Sequence, residues 1–479
     1  MPQSTRRWIT DKVEALRTAP HLPFYDLLDP ARVEHALEEN QVSFRERVYT
    51  PLVTLWTFLS QILSPDHSCR EAVARLIAFR VARGQKPCAP DTASYCKARQ
   101  RLPIKVLTDL ARDTAQRLDA KTEEAWKGKG RPVQLVDGTT VSMPDTPSNQ
   151  KAFPQARTQK PGLGFPIARL VAVISLATGA VRELALGPYK GKKTGETALF
   201  RSLWDRFTAG DIILGDRCFA SFFGIAPLVV RGVDGLFRMH QRRKYDFRCG
   251  RCLGIEDHVV LWAKPSRPEW MDKALYAQLP EQLEIRELRV KVQRIGFRVA
   301  ELVLVTTLLD SQGYTKEELA DLYLERWNVE LDLRSIKCVM QMDVLRCETP
   351  AMVEKEIWMH MLAYNLIRGL MSRAAEAHEK EPRCLSFKGT LQALRAFRES
   401  LQWARRRRRA ELWDAMLEVI ASYEVGNRPN RVEPRAIKRR PKPHKFLNEP
   451  RQQARDRFLK HKGCKLENPR IATRYREAC

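Results

Sequence analysis

The chain has 479 residues, and its 83 lysines and arginines outnumber its 57 aspartates and glutamates, which gives a formal net charge of +26. An excess of this size indicates a polyanionic partner such as nucleic acid. Hydrophobic residues make up 44% of the chain, enough for packed cores, and this excludes a mainly disordered protein. The length exceeds what one ordinary domain needs, so we expect several domains.

The sequence predicts a cytoplasmic protein with no membrane partner. Its apolar runs are shorter than the roughly 18 residues of a membrane span, and its N-terminal segment lacks the apolar centre of a secretory signal. Eleven cysteines, an odd number without a scaffold-like spacing, indicate reduced thiols. Cys249 and Cys252 form a Cys-x-x-Cys pair, but a zinc site needs about four ligands. Two ordinary thiols in a turn are therefore the favoured interpretation.

Residues 1–125 are interpreted as a helical N-terminal DNA-binding domain. Ser68 and Glu71 have the spacing of a capping box before an apolar run, which predicts a helix start. A short helix is predicted after Thr92 and a longer one after Pro103. Short helices with interspersed arginine and lysine suit a DNA-binding bundle. The alternative is a packing domain whose charges are solvated.

Residues 126–378 are interpreted as a second domain, which contains strands, because strand patterns begin near residue 130. A short apolar strand ends at Asp137, a hairpin turns at Thr178-Gly179, and a further strand ends before Asp216. A carboxylate at the end of a strand projects from a rigid sheet into the cleft above it. Taken alone, either aspartate could instead be a turn residue or a helix cap.

Within this domain, residues 241–310 are predicted to form a basic, β-rich insertion. Thr315 and Glu318 then have the spacing of a capping box, which predicts a long helix to about Met340. The remaining residues, 379–479, are predicted to be helical and basic and to serve dimerisation, DNA contact or both. Their proline-rich, very basic tail is not expected to fold alone.

One face of the predicted long helix carries several polar side chains. At about 100° per residue, they fall within roughly 60° of one another on a regular α-helix. These residues are Tyr323, Arg326, Glu330 and Lys337, with Arg334 near the same stripe. A solvated face with ion pairs between residues four apart is the alternative interpretation.

Three carboxylates could together hold two Mg²⁺ ions, which prefer hard oxygen ligands. They are Asp137, Asp216 and Glu330. Ions about 3.5–4 Å apart would activate an attacking water or 3′-hydroxyl and stabilise the leaving oxygen of an in-line displacement. Arg326 and Lys337 could bind phosphates beside the metals, and Tyr323 could orient Glu330 or bond a phosphate oxygen. We expect Mn²⁺ to substitute for Mg²⁺.

The spacing Tyr323-x2-Arg326-x3-Glu330-x6-Lys337 resembles the signature of the IS-four group of bacterial insertion-sequence transposases, which are DDE enzymes. The run Val136-Asp137-Gly138-Thr139-Thr140 is similar to the strand that carries the family's first catalytic aspartate, and Gly215-Asp216-Arg217 to the second. Segments 94–103 and 427–435 are also typical of this family. The resemblance covers roughly residues 40 to 455.

The resemblance implies an α/β fold in which a ribonuclease-H-like core with a β-rich insertion lies between helical N-terminal and helical, basic C-terminal regions. It also implies cut-and-paste transposition, with strand cleavage at terminal inverted repeats, a DNA hairpin and strand transfer to target DNA. The enzyme would be a homodimer bound to both double-stranded element ends in a bacterial cytoplasm.

One departure concerns the hairpin step. The best-known members stack a tryptophan on a flipped base, and this chain has Glu301-Leu302 near that position. Trp262 and Trp270 are possible replacements, although ordinary core packing is the favoured interpretation of both.

Further basic residues are candidates for DNA or phosphate binding. They are Arg217 beside the second aspartate, Arg334 on the helix, and Lys190, Lys192 and Lys193 in a glycine-rich loop. The five arginines at 405–409 are interpreted as a DNA contact, with an exposed helix face as the alternative. Two rival functions stay open: a hydrolytic nuclease on the same core, and a non-catalytic DNA-binding protein derived from a transposase.

Overall fold

The computed structural model describes residues 28, 30–42, 44, 47–122, 127–192, 194–291, 301–425 and 448–462. Within these ranges a mixed sheet is preceded and followed by helices. None of the described helices is long and apolar enough to cross a membrane. The proline-rich tail and Lys193 lie outside the described residues.

The described part of the chain that precedes the sheet is mainly helical. They are α1 Pro30–Glu39, α2 Pro51–Leu63, α3 Cys69–Ala82, α4 Ala93–Arg101 and α5 Ile104–Ala120. The predicted cap of α3 forms, because the Glu71 backbone N–H donates to Ser68 Oγ at 3.1 Å. The Glu71 carboxylate accepts instead from Ser64 and Arg75. Only half of the predicted capping box is therefore present.

The strands form one sheet in the order β3-β2-β1-β4-β5-β9-β8-β7-β6. They are β1 Val133–Ser142, β2 Ile167–Ser175, β3 Val181–Pro188, β4 Ile212–Gly215, β5 Asp234–Arg238, β6 Arg251–Gly254, β7 Asp257–Ala263, β8 Gln282–Lys291 and β9 Glu301–Thr306. Short helices connect some of them: α6 Pro147–Ala152, α7 Glu196–Arg201, α8 Phe222–Val229 and α9 Lys273–Gln278. The predicted hairpin turn at Gly179, where φ is +74°, joins β2 to β3.

The first five strands form the ribonuclease-H-like core. β1 pairs antiparallel with β2 and parallel with β4, β2 pairs antiparallel with β3, and β4 pairs parallel with β5. Only β2 therefore runs against the other four. β9 pairs antiparallel with β5 and continues through β8 and β7 to β6. The expected α/β class is confirmed, and the β-rich insertion extends the core sheet.

The two faces of the sheet bury two separate cores, because successive side chains of a strand point to opposite faces. Leu135 of β1 belongs to one core, with α5 and the later helices. Val136 belongs to the other, with Phe200, Phe219 and Phe222. This alternation fixes the face on which each side chain near the end of β4 emerges.

Helices follow the sheet. They are α10 Lys316–Leu324, α11 Asn328–Arg334, α12 Pro350–Ala377, α13 Phe387–Trp403, α14 Arg406–Ser422 and α15 Arg451–Lys462. The capping box of Thr315 and Glu318 is confirmed at the start of α10. The single long helix predicted to about Met340 is wrong, because a 3₁₀ turn at Glu325–Trp327 and a π turn at Ser335–Val339 interrupt it. Both turns change the angle per residue, so the regular 100° spacing does not hold.

Candidate active site

Asp137 lies within β1, not at the end of a strand as predicted. The strand is longer than expected because its pairing with β2 continues to Ser142, while its pairing with β4 stops at Val136↔Gly215. Asp137 is thus the first residue at which one edge of β1 is free. Its Oδ1 accepts a hydrogen bond from the backbone N–H of Gly138 at 2.8 Å.

Asp216 directly follows β4, as predicted. Because Val136 and Gly215 are register partners on neighbouring parallel strands, the next residues are Asp137 and Asp216. Such strands lie about 4.8 Å apart. The thiol of Cys218 lies near both acids: its pKa is raised to about 12, chiefly by burial and in smaller part by the charges of Asp216, Glu196 and Asp137. Parallel register therefore brings the two aspartates to one place.

Arg326 connects the helical segment to β1. Its guanidinium Nη2 donates to Glu330 Oε1 at 3.2 Å, and Nη1 lies 3.8 Å from Asp137 Oδ2. The side chain of Arg326 is only 9% exposed, whereas that of Glu330 is 45% exposed. Tyr323 is buried beside it, and burial raises its pKa to about 12, opposed by Arg326 and reinforced by Asp216. The structure thus brings these side chains together around Arg326.

The carboxyl group of Asp137 has an unusual environment. Its pKa rises from 3.8 to about 6, mainly because of burial and in smaller part because of the charges of Glu330 and Glu196. The Gly138 N–H and the Arg326 guanidinium oppose this rise. The Asp137 carboxylate is thus costly to desolvate and has two further acids near it, so added positive charge would stabilise its ionised form.

Glu196 is an acid at this site that the sequence did not indicate. It is the first residue of α7 and lies against Gly138, where an added Cβ would be 2.4 Å from the Glu196 Cδ. Its Oε1 is 3.9 Å from the Nε of Arg169 on β2. An acid in the first turn of a helix is an ordinary preference, so a single sequence gives no reason to assign Glu196 to the site.

The other predicted phosphate-binding residues lie around the site rather than within it. Lys337 is half-buried in the π turn, and Arg334 is exposed. Arg217 is exposed and its Nη1 donates to Gln241 at 2.9 Å. Lys190 and Lys192 are exposed in the loop after β3.

The arginines at 405–409 are only partly available for DNA. Arg409 donates to the backbone carbonyls of Leu401 and Ala404 at the end of α13. Arg408 Nη1 donates to Glu411 at 2.5 Å on the exposed side of α14. The interpretation of this cluster as a DNA contact stays a prediction, and at least Arg409 also has a structural contact.

The two tryptophans considered for base stacking are held within the insertion. Trp262 is 4% exposed, donates from Nε1 to Glu287 at 3.0 Å, and lies 3.5 Å beneath the Arg243 guanidinium. Trp270 is half-buried, with the Arg201 guanidinium 3.8 Å from its ring. Core packing is therefore confirmed for Trp262, which cannot stack on a base without leaving its core.

The acids have the donor chemistry that a divalent ion needs. As they stand, no three His, Cys, Asp or Glu side chains in the described ranges are arranged to hold a metal ion. At this site Glu330 is paired with the Arg326 guanidinium, which also lies near Asp137. Carboxylate oxygens are the ligands that Mg²⁺ prefers, so Asp137, Asp216 and Glu330 fit such an ion by chemistry. Cys249 and Cys252 are exposed free thiols.

The sequence also matches a family model and known proteins. Residues 128–366 match the family of the transposase DDE domain. The chain is 27% identical over 448 residues to the transposase InsG for insertion sequence element IS4 of Escherichia coli (strain K12), covering 90% of this chain and 95% of InsG. It is 32% identical over 96 residues to the putative transposase InsL for insertion sequence element IS186A of the same organism, covering 20% of this chain and 26% of InsL.

One solved structure also shows weak similarity to this chain. The cryo-EM structure of a piggyBac transposase synaptic complex with hairpin DNA gives a TM-score of 0.40 at 10% identity, covering 84% of this chain and 85% of that one. A likeness this distant bears on neither the fold nor the site.

The segment that matches the family runs from just before β1 into α12, so it includes Asp137, Asp216 and Glu330. The likeness to InsG continues beyond it over most of both chains. Divalent-metal dependence and a DNA partner come with this family, and the net charge of +26 agrees with a DNA partner. The chain belongs to the DDE transposases of the IS4 family and is a DNA transposase.

Proposed function

We propose that this transposase moves an insertion sequence by a cut-and-paste route, with Asp137, Asp216 and Glu330 as its catalytic carboxylates. The observation that carries the proposal is the register that sets Asp137 beside Asp216, together with the Arg326 link from Asp137 to Glu330. We propose two Mg²⁺ ions as the cofactor, with Mn²⁺ as a substitute. When bound, the ions would activate the attacking oxygen and stabilise the leaving oxygen of the phosphoryl transfer.

The remaining residues of the signature have roles that follow from their burial. Arg326 is nearly buried, so its guanidinium is held in one place and can present two N–H groups to a DNA phosphate. Tyr323 lies beneath it, and its hydroxyl can orient Arg326 or bond a phosphate oxygen. Lys337 is assigned to the DNA backbone, as are Arg334, Arg217, Lys190, Lys192 and Lys193.

The proposed substrate is double-stranded DNA, namely the two element ends and the target, in a bacterial cytoplasm. Residues 1–125 are assigned to recognition of the ends, residues 126–378 to catalysis, and residues 379–479 to dimerisation or DNA contact. A homodimer would supply one active site to each end. The hairpin step is left outside the proposal, because Trp262 is buried in the insertion.

The test uses a DNA fragment that carries the coding sequence with its flanking DNA, purified protein and Mg²⁺. Glu330→Ala and EDTA reactions are the controls, and break positions are mapped on both strands. Paired, metal-dependent breaks at inverted repeats, followed by joining to a second DNA, are the expected result. Cutting without joining would show a nuclease, and binding without cutting would show a non-catalytic DNA-binding protein.

A further inference from the structure

Asp332 lies two residues after Glu330 on α11 and is completely buried. Its carboxylate accepts hydrogen bonds from Arg383 Nη1 at 2.9 and 2.7 Å, from the Tyr364 hydroxyl at 3.0 Å, and from Arg368. One buried carboxylate thus faces two arginines that come from α12 and from the turn after it. None of these groups belongs to the transposase signature.

Arg383 extends this cluster to the sheet. Its Nε donates to the Leu176 carbonyl at 2.7 Å, and its Nη2 donates to the Ser175 carbonyl at 2.8 Å. Ser175 ends β2 and is the register partner of Gln134 on β1, three residues before Asp137. A short series of contacts therefore joins the strand of Asp137 to the helix of Glu330 without passing through the active site.

The backbone of the β2–β3 turn also accommodates the cluster. Gly179 has φ of +74°, and an added Cβ would be 2.6 Å from the Nε of Arg368. This position therefore requires glycine both for its conformation and for the close approach of the guanidinium. Arg368 is itself buried and donates from Nε to the Tyr364 hydroxyl at 2.8 Å.

Stability alone is a poor explanation for such a cluster. Removing two arginines and a carboxylate from water is costly. A protein with apolar residues of similar volume in their place is often at least as stable. A buried charged cluster does, however, have strict geometry, because each partner must keep its hydrogen bonds. In an α-helix, residues two apart project about 200° apart. Asp332 can thus anchor one side of α11 while Glu330 projects from the other.

We propose that Asp332 and Arg383 are positioning residues that set the place of Glu330 relative to Asp137, and thereby the affinity of the site for a divalent ion. This inference rests on the proposed role of Glu330 as a metal ligand. The cluster acts from outside the site, since its side chains contact neither Glu330 nor Asp137 in the bonds described above. Its effect is therefore carried by the position of α11.

The experiment compares Arg383→Lys with a matched control, Arg286→Lys, in the full-length protein. Arg286 forms a buried two-bond pair with Asp257 at 2.8 and 2.5 Å in the insertion, and its Nη1 donates to the Tyr314 carbonyl before α10 at 2.7 Å; none of these bonds involves α11. Mn²⁺ binding without DNA is measured by electron paramagnetic resonance, and the signal lost in Asp137→Asn defines the site. Melting temperature and Mg²⁺-dependent cleavage are measured on the same samples.

We expect Arg383→Lys to weaken Mn²⁺ binding and to slow cleavage by about 10–100-fold, an effect of the size found when a group that positions a metal ligand is removed. Arg286→Lys should lower the melting temperature comparably while keeping both metal affinity and cleavage. If Arg383→Lys is unstable, Tyr364→Phe serves instead, because it removes one hydrogen bond of Asp332. Its Mn²⁺ affinity and its cleavage rate should each fall by about threefold to tenfold.

Equal metal affinity and cleavage in Arg383→Lys and Arg286→Lys would overturn the positioning inference. Glu330→Ala separates this failure from that of the proposed function. If Glu330→Ala loses cleavage while Arg383→Lys keeps its metal affinity, only the positioning inference is wrong. If Glu330→Ala still cleaves normally, the proposed function and this inference are both wrong.

Discussion

Arg326 and Glu330 form an ion pair of 3.2 Å across the junction between a 3₁₀ turn and α11, and the two partners have very different exposure. The sequence left open a solvated face with ion pairs between residues four apart. That pair is present, but Arg326 is nearly buried and also approaches Asp137 at 3.8 Å. A solvated helix face does not account for this burial, because both partners of an ion pair on such a face would be exposed to water.

The first prediction concerns Glu330. Glu330→Ala should slow Mg²⁺-dependent cleavage by more than about 100-fold, because a metal ligand contributes several kcal/mol at the transition state. Binding of the fragment with its flanks, measured by gel shift in EDTA, should stay nearly unchanged. Glu325→Ala, an exposed acid in the same helical segment, is the control and should cleave normally. Persisting cleavage in Glu330→Ala would remove this residue from the catalytic set.

A second prediction follows from the pKa of Asp137, which burial raises from 3.8 to about 6. An acid with a raised pKa binds its proton more tightly in the folded state, so its cost to stability is absent below pH 3.8 and complete above about pH 6. Asp137→Asn should therefore stabilise the metal-free protein by roughly 2–3 kcal/mol at pH 7.5. This stability difference between Asp137→Asn and the wild type should shrink as the pH falls towards about 4.

Urea unfolding of both proteins, without metal, measures this difference across that pH range. Cleavage should be lost in Asp137→Asn although its stability rises, which is the expected trade-off at a catalytic site. A stability difference that does not change with pH would contradict the assigned pKa.

The third prediction concerns the acid that the sequence did not indicate. Gly138→Ala places a Cβ 2.4 Å from the Glu196 Cδ, so the end of the Glu196 side chain must move from its place beside Gly138. The protein should still fold, because the displaced atoms are the flexible end of a side chain. Cleavage should fall by about 10–100-fold.

Gly195→Ala is the matched control for Gly138→Ala, since an added Cβ there meets no atom within 4 Å. Its cleavage rate and melting temperature should equal those of the wild type. Equal cleavage by the two alanine variants would show that the place of Glu196 does not matter to the site.

A fourth prediction separates Lys337 from the metal ligands. Lys337→Ala should slow cleavage while leaving Mn²⁺ binding without DNA unchanged, because a phosphate contact acts only when DNA is present. Single-turnover cleavage and paramagnetic resonance measure the two effects. An unchanged cleavage rate would reduce Lys337 to a surface charge.

The last prediction uses the net charge of +26. Each phosphate that the protein neutralises releases counterions, so affinity for DNA should fall steeply with salt. With six to ten phosphate contacts, the loss between 50 and 200 mM salt is about 10³–10⁵-fold. Fluorescence anisotropy of a labelled DNA duplex measures it, and a flat response to salt would contradict extensive backbone contact.

Local patterns allowed part of the fold to be predicted. The Thr315–Glu318 capping box, the turn at Gly179 and the position of Asp216 after β4 depend on neighbours along the chain, and all are confirmed. The end of the strand at Asp137 was predicted wrongly. Where a strand ends depends on its partner, and β2 pairs with β1 for six residues beyond Val136.

The same limit applies to the signature helix. Its residue types and spacing were enough to indicate phosphate chemistry, but the regular helix assumed for them is interrupted on both sides of α11. Burial of Tyr323 and Arg326 also could not be predicted, because polar side chains at helical spacing usually face solvent. In the structure, Arg326 lies instead against Asp137 of β1.

The sequence by itself determined the chemistry of this protein: the acids, the signature spacing, the cationic excess and the family they indicate. These depend on residue types and on distances along the chain. Only the tertiary structure decided which groups meet, namely Asp137 with Asp216 through strand register, Glu196 against Gly138, and Asp332 with Arg383. Such contacts join segments tens of residues apart, and they form only where burial of the whole core brings those segments together.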